Sequence, residues 1–196
     1  VTPLAAAALG VATCTAPVAA LARDGISGPP AISAEAARPP QPEAARNEDV
    51  LADARAVVEV LGFDDRIGEL ITIYRNTLVT NASVAFGRPA ADIDPIADVL
   101  VVPALRAHRD ELLDAFASIW RSNLSSYDIH DLRVRLASED GRRLSLSGTV
   151  LGNRVDAAMP RILAQETEAS NRWGQRVANA AIAANPEFMR AHGFVP

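Results

Sequence analysis

The chain has 196 residues, a formal charge of −5 and 49 % apolar residues, which suits one domain, or at most two small ones, with a core of useful size. Its 19 cationic residues are all arginine, which excludes a Schiff-base lysine, a phosphate-loop lysine and a Ser–Lys dyad. The acidic balance argues against sequence-independent nucleic-acid binding, which needs clustered cations.

Residues Leu4 to Ala22 are small or apolar, with no charge before Arg23. They end in Ala20-Leu21-Ala22, a small-x-small tripeptide of the kind signal peptidase cleaves. The alanine-rich composition, Pro3 and Pro17 fit an export signal better than a spanning helix, which needs about 20 residues of sustained apolarity. Residues 1–22 are therefore expected to be a signal peptide. The mature chain is expected to be periplasmic or secreted, with no transmembrane span. Val11-Ala12-Thr13-Cys14 is a poor match to a lipoprotein acylation site, because Thr stands where Gly, Ala or Ser is usual. Cleavage after Ala22 leaves no cysteine, and so no disulfide, thiolate nucleophile or sulfur ligand.

Residues 23–47 hold five prolines (Pro29, Pro30, Pro39, Pro40, Pro42) and Gly25 and Gly28, and no apolar period runs through them. They read as a disordered linker. A helical domain over 48–196 follows. Asn47 is placed to cap its first helix, with Glu48 and Asp49 at the positive end. Leu51, Ala54, Val58 and Leu61 form the apolar stripe, and Gly62 ends it. A second helix after Asp64 carries Ile67, Leu70, Ile71, Tyr74 and Leu78 and fades near Gly87-Arg88-Pro89. Asp94 is expected to cap a third, with Pro95 at its first position. Pro103 should kink or split that helix before the stripe resumes at Leu105, Leu112, Leu113, Phe116, Ile119 and Trp120.

Ser125 and Asp128 make a Ser-x-x-Asp start signal for a short fourth helix with Ile129, Leu132 and Leu136 on its stripe. Ser138 is expected to cap a fifth, striped by Leu144, Leu151, Val155, Ala158 or Met159, Ile162, Leu163, Val177 and Ala181. Pro160 should bend it, and Asn185-Pro186 should stop it, leaving a short turn or tail. Strand signals are lacking. The expected fold is an all-α bundle of about five helices behind a disordered leader.

The chemistry-bearing residues do not assemble into a known set. A zincin needs two histidines four apart on one helix, and a di-iron bundle needs paired Glu-x-x-His. His108, His130 and His192 supply neither, and His108-x-x-Glu111 is a single reversed pair. Asp128, His130 and Asp131 are the densest ionisable cluster, yet no nucleophile or pocket signal accompanies them. No Gly-x-Ser-x-Gly elbow, glycine-rich phosphate cradle, dinucleotide fingerprint or haem-attachment motif occurs. No catalytic residue, metal site or cofactor is assigned.

Gly148-x-x-x-Gly152 is a small-x-x-x-small element inside the expected fifth helix. Two glycines there suggest close backbone approach, either within the bundle or at a homodimer face. Arg142, Arg143, Arg154 and Arg161 are expected to pair with neighbouring Glu139, Asp140, Asp156 and Glu166 on a solvated face. Trp120, Trp173, Tyr74 and Phe116 suit core anchoring better than a ligand groove.

Ser125-x-x-Asp128-Ile129-x-x-Leu132, followed by Ser138-x-x-Gly141-Arg142-Arg143-Leu144, resembles the bacterial domain-of-unknown-function family 2059. The resemblance spans roughly residues 50 to 185. Arg135 and Leu136 stand where the family has an aromatic pair, and Glu139 where it has proline. The resemblance implies an exported all-helical protein and transfers no mechanism. The expected role is non-enzymatic contact with another envelope protein or with a second copy of the chain. The alternative is a helical module for a small apolar ligand or lipid, since kinked alanine-rich helices can leave an apolar cavity.

Overall fold

The computed structural model describes residues 47–139 and 146–194. The expected signal peptide with Cys14, the linker up to residue 46, and Gly141, Arg142, Arg143 and Leu144 lie outside the described residues. Among the described residues every regular element is helical. The elements are α1 (Asn47–Val60), α2 (Phe63–Phe86), α3 (Ala90–Ile96), a π-helical turn (Ala97–Val101), α4 (Val102–Ala107), α5 (Arg109–Asn123), α6 (Ser126–Ala137), α7 (Val150–Ala183) and α8 (Pro186–Ala191). The chain is all-α. No helix among the described residues is long and apolar enough to cross a membrane.

α1 packs against α5 and α6, and α7 packs against α5, α4 and the π-helical turn. α2 lies along α3, the π-helical turn and α4. The core they enclose includes Val57, Val58, Phe63, Leu105, Leu112, Leu113, Ile129 and Ile162, all buried. Phe63 and Phe116 meet edge to face, with centroids 5.7 Å apart.

Glycine sets the first two junctions. Gly62 (φ 85°) and Gly87 (φ 61°) are left-handed, a conformation that costs a residue with a Cβ. At Gly87 the N–H groups of Gly87 and Arg88 return to the carbonyls of Val84 and Ser83, a Schellman closure of α2. The buried face of α1 is Val50, Ala54, Val57 and Val58. It is turned relative to the expected stripe, so that Leu61 is exposed.

The start of the third expected helix is corrected. It starts at Ala90, behind an extended Pro89, and Asp94-Pro95 lies inside it. The Asp94 carboxylate does not cap; it takes Arg75 of α2 at 2.7 Å. The expected split at Pro103 is present, in the form of the π-helical turn directly before it. That turn closes with a wider bond, from the Val102 N–H to the Ala97 carbonyl. A second break, which the stripe did not signal, falls at His108 (φ −97°, ψ 19°).

Glu139, directly after Ser138, is helical, residues 140–145 lie outside the described residues, and the long helix α7 begins at Val150. Leu146 to Thr149 form a turn, and Gly148 (φ 78°) is left-handed there. Thr149 then caps α7 by accepting the Gly152 N–H on its hydroxyl at 3.0 Å. Pro160 leaves α7 one hydrogen bond short, but the helix runs through it unbroken to Ala183. The expected tail is a further helix, α8, whose Met189 and the following Phe194 are buried.

Candidate functional site

The motif at the start of α6 folds as its residues dictate. Ser125 is extended, and its hydroxyl accepts the Asp128 N–H at 3.2 Å while donating to the Asp128 carboxylate at 2.6 Å. Asp128 is only 5 % exposed. Its other oxygen takes Arg154 of α7 at 2.7 Å. Leu132 is buried one turn on. Ser138 closes α6 by hydrogen-bonding back to the Arg135 carbonyl.

Asp128, His130 and Asp131 do not converge. His130 Nδ1 meets Asp53 of α1 at 2.8 Å, beside Arg133, which holds the other Asp53 oxygen at 2.9 Å. Asp131 pairs with Arg135 one turn along its own helix, at 3.1 Å. The three side chains therefore serve three contacts, to α7, to α1 and within α6. No group of three or more His, Cys, Asp or Glu among the described residues is arranged to hold a metal ion.

The polar centre of the bundle lies elsewhere. Glu166 points inward from α7 and is 5 % exposed. Trp120 of α5 donates its indole N–H to one carboxylate oxygen at 2.9 Å, and Arg66 of α2 holds the other at 2.9 Å. The Arg66 guanidinium also lies 5.3 Å from the centre of the Phe116 ring. One turn further along α7, the buried Ser170 hydroxyl donates to the Glu166 carbonyl, and the Ser170 carbonyl accepts the Tyr74 hydroxyl at 2.6 Å. Tyr74 packs edge-on to Trp173, with centroids 6.3 Å apart, and Trp173 donates to the His108 carbonyl at 3.0 Å. Gly174 makes room for this seam: a Cβ there would lie 2.3 Å from Tyr74 Cζ.

These contacts reassign several sequence expectations. Arg154 and Glu166 do not form local surface pairs; each crosses to another helix. Phe116, Trp120 and Trp173, by contrast, are core anchors as expected. Glu166 was legible as an oddity, because it falls in phase with Ile162 and Ala169 on the apolar stripe. A carboxylate at a core position needs a cation or several donors.

His108 and Glu111 form an end-of-helix pair. His108 precedes α5, and its Nδ1 lies 2.5 Å from Glu111 in the first turn. Arg176 of α7 takes the other Glu111 oxygen. The hydrogen bond from His108, then Arg176, holds the Glu111 carboxyl below the usual glutamate range. Arg75 similarly forks between Asp94 and Asp98, and its hydrogen bond draws the Asp98 carboxyl below the usual aspartate range.

Gly148 and Gly152 do not share a helical face, since Gly148 sits in the turn before α7. The close approach at Gly152 is to the chain's own backbone: a Cβ there would lie 1.9 Å from the Leu146 carbonyl oxygen.

Comparison with family models, curated proteins and solved structures finds no match to this chain.

Proposed function

We propose that this chain is an exported, non-enzymatic helical module of the bacterial envelope, acting by contact with another envelope protein or with a second copy of itself. The observation that carries the reading is the outer face of α6. Tyr127 is 52 % exposed and Val134 is 54 % exposed, two turns apart on the helix whose inner face buries Ile129 and Leu132. Residues seven apart share one helical face, and tyrosine is favoured at contact surfaces. The charged residues between the helices support the same reading, because Asp53, Asp128, Arg75 and Glu166 are engaged in joining one helix to another. The apolar segment ending in Ala20-Leu21-Ala22 supports export, and the resemblance of the Ser125-to-Leu144 motif to family 2059 supports the envelope.

Crosslinking in the native envelope, with light scattering of the purified chain, tests the role. A captured partner or a dimer, weakened by Tyr127→Ser with Val134→Ser, is the expected result. A strict monomer that captures nothing overturns it. An apolar molecule retained in native mass spectrometry would favour a ligand-binding module instead. Sequencing the mature amino terminus tests export separately, with Arg23 as the expected first residue.

A further inference from the structure

We propose that residues 186–194 form a detachable strap that Arg88 latches against the end of α2. α8 has six residues, too few to hold a helix without outside support. It is joined to α7 only through Ala184 and Asn185, and Pro186 at its start brings no N–H to the junction. Pro186, Glu187, Arg190 and Ala191 face solvent, and Met189 and Phe194 are the strap's two buried side chains.

The latch is one guanidinium with three contacts. Arg88 follows the left-handed Gly87, which turns it back across the end of α2. Its Cζ lies 4.5 Å from the centre of the Phe194 ring. Its Nη1 donates to the His192 carbonyl at 2.9 Å, and its Nε donates to Asp92 of α3 at 3.2 Å. Arg88 therefore ties the strap to α3 as well as to α2. Phe86, the last residue of α2, meets Phe194 edge to face with centroids 5.3 Å apart. Gly193 (φ 78°) closes α8 in a Schellman turn, with Phe194 N–H returning to the Met189 carbonyl at 2.9 Å. A Cβ at Gly193 would approach Arg88 Nη1 to 3.2 Å.

Nine residues are thus ordered by two buried side chains, the half-buried Phe188 and one arginine. Such a segment opens locally, ahead of the bundle it covers. Opening frees Phe194 and Met189 and uncovers the Phe86 edge. The device stands apart from the contact role proposed above, because it operates in the isolated protein.

Hydrogen exchange on the full chain tests it. The amides of Met189, His192, Gly193 and Phe194 are hydrogen-bonded within the strap or to Asn185, and those of Ala169 to Val177 report α7. In the unsubstituted protein the strap amides should exchange at least about 100-fold faster than the α7 amides. Arg88→Ala should speed the strap amides by about tenfold more and leave α7 unchanged. Phe194→Ala, which leaves the Arg88–Asp92 pair in place, should act in the same selective way. Strap amides that exchange as slowly as α7, or substitutions that speed both regions equally, would overturn the proposal.

Discussion

Trp120 and Glu166 join α5 to α7 through a 2.9 Å hydrogen bond inside the core. The carboxylate can be there because Arg66 neutralises it from α2 at the same distance. Removing one partner of a buried pair leaves an uncompensated group, at a cost of about 3–5 kcal/mol. Arg66 is a third exposed, but its Nε and Nη2 are buried without partners, so Glu166→Ala should fall within that range, at about 3–5 kcal/mol. Glu166→Gln keeps an acceptor for Trp120 and should cost less. Urea unfolding of the two variants checks the order. Equal losses would mean that the charge matters and that neither the side chain's volume nor its acceptor for Trp120 does.

The seam also explains how much of the molecule was readable from sequence. The apolar stripes of α2, α5 and α6 bury where their period places them, since Ile67, Leu112, Leu113, Phe116, Ile129 and Leu132 all point inward. Ser125 caps because its hydroxyl can reach the Asp128 N–H three residues on, a purely local property. What failed was decided by distant partners. Arg75 draws Asp94 away from a capping role, and it is 19 residues away. Arg66 reaches Glu166 across 100 residues, and no local pattern names it. Gly148 was misplaced because a glycine four before another looks the same in a helix and in a left-handed turn.

Gly174 and Tyr74 form a lock that a single methyl group should break. A Cβ at position 174 would overlap the Tyr74 ring at 2.3 Å, and both residues sit on packed helices. Overpacking of this kind costs about 1–3 kcal/mol. Gly174→Ala should therefore destabilise the protein despite the better helix propensity of alanine. Tyr74→Ala should remove most of that penalty in the double variant. A double-mutant cycle on unfolding free energies reads the coupling, and additive losses would refute the steric explanation.

The Glu111 contacts predict a pH dependence with a definite sign. Its carboxyl is held below the ordinary glutamate value of about 4.5 by the hydrogen bond from His108 and by Arg176. The folded state thus favours the ionised form. That contribution is complete above the unfolded value and is lost as pH falls through the lower folded value. Stability should decline with acid below about pH 4.5, and Glu111→Gln should flatten part of that decline. Urea midpoints measured from pH 6 to pH 3 test this. An unchanged slope in the variant would show that the pair is fully screened.

Ser125→Ala removes the acceptor for the Asp128 N–H and a donor to the buried Asp128 carboxylate. A lost cap costs about 1 kcal/mol. Burial of the carboxylate should raise that, because Arg154 is then its one remaining side-chain partner among the described contacts. Ser125→Thr retains the hydroxyl and should recover most of the stability. Thermal unfolding with matched urea data separates the two.

The two glycines before and inside α7 should respond to alanine for different reasons. Gly148 has open space around its Cα, so Gly148→Ala meets only the cost of a left-handed backbone, about 1–2 kcal/mol. Gly152 has an ordinary helical backbone but faces the Leu146 carbonyl at 1.9 Å from an added Cβ. A backbone oxygen cannot swing aside as a flexible side chain can, so Gly152→Ala should displace the turn and cost more than Gly148→Ala. Asn, which tolerates the left-handed region, should partly rescue position 148 and give no relief at 152. If the two glycines instead formed one face against a second copy, both alanine variants would shift the oligomeric state together, and light scattering alongside unfolding would show it.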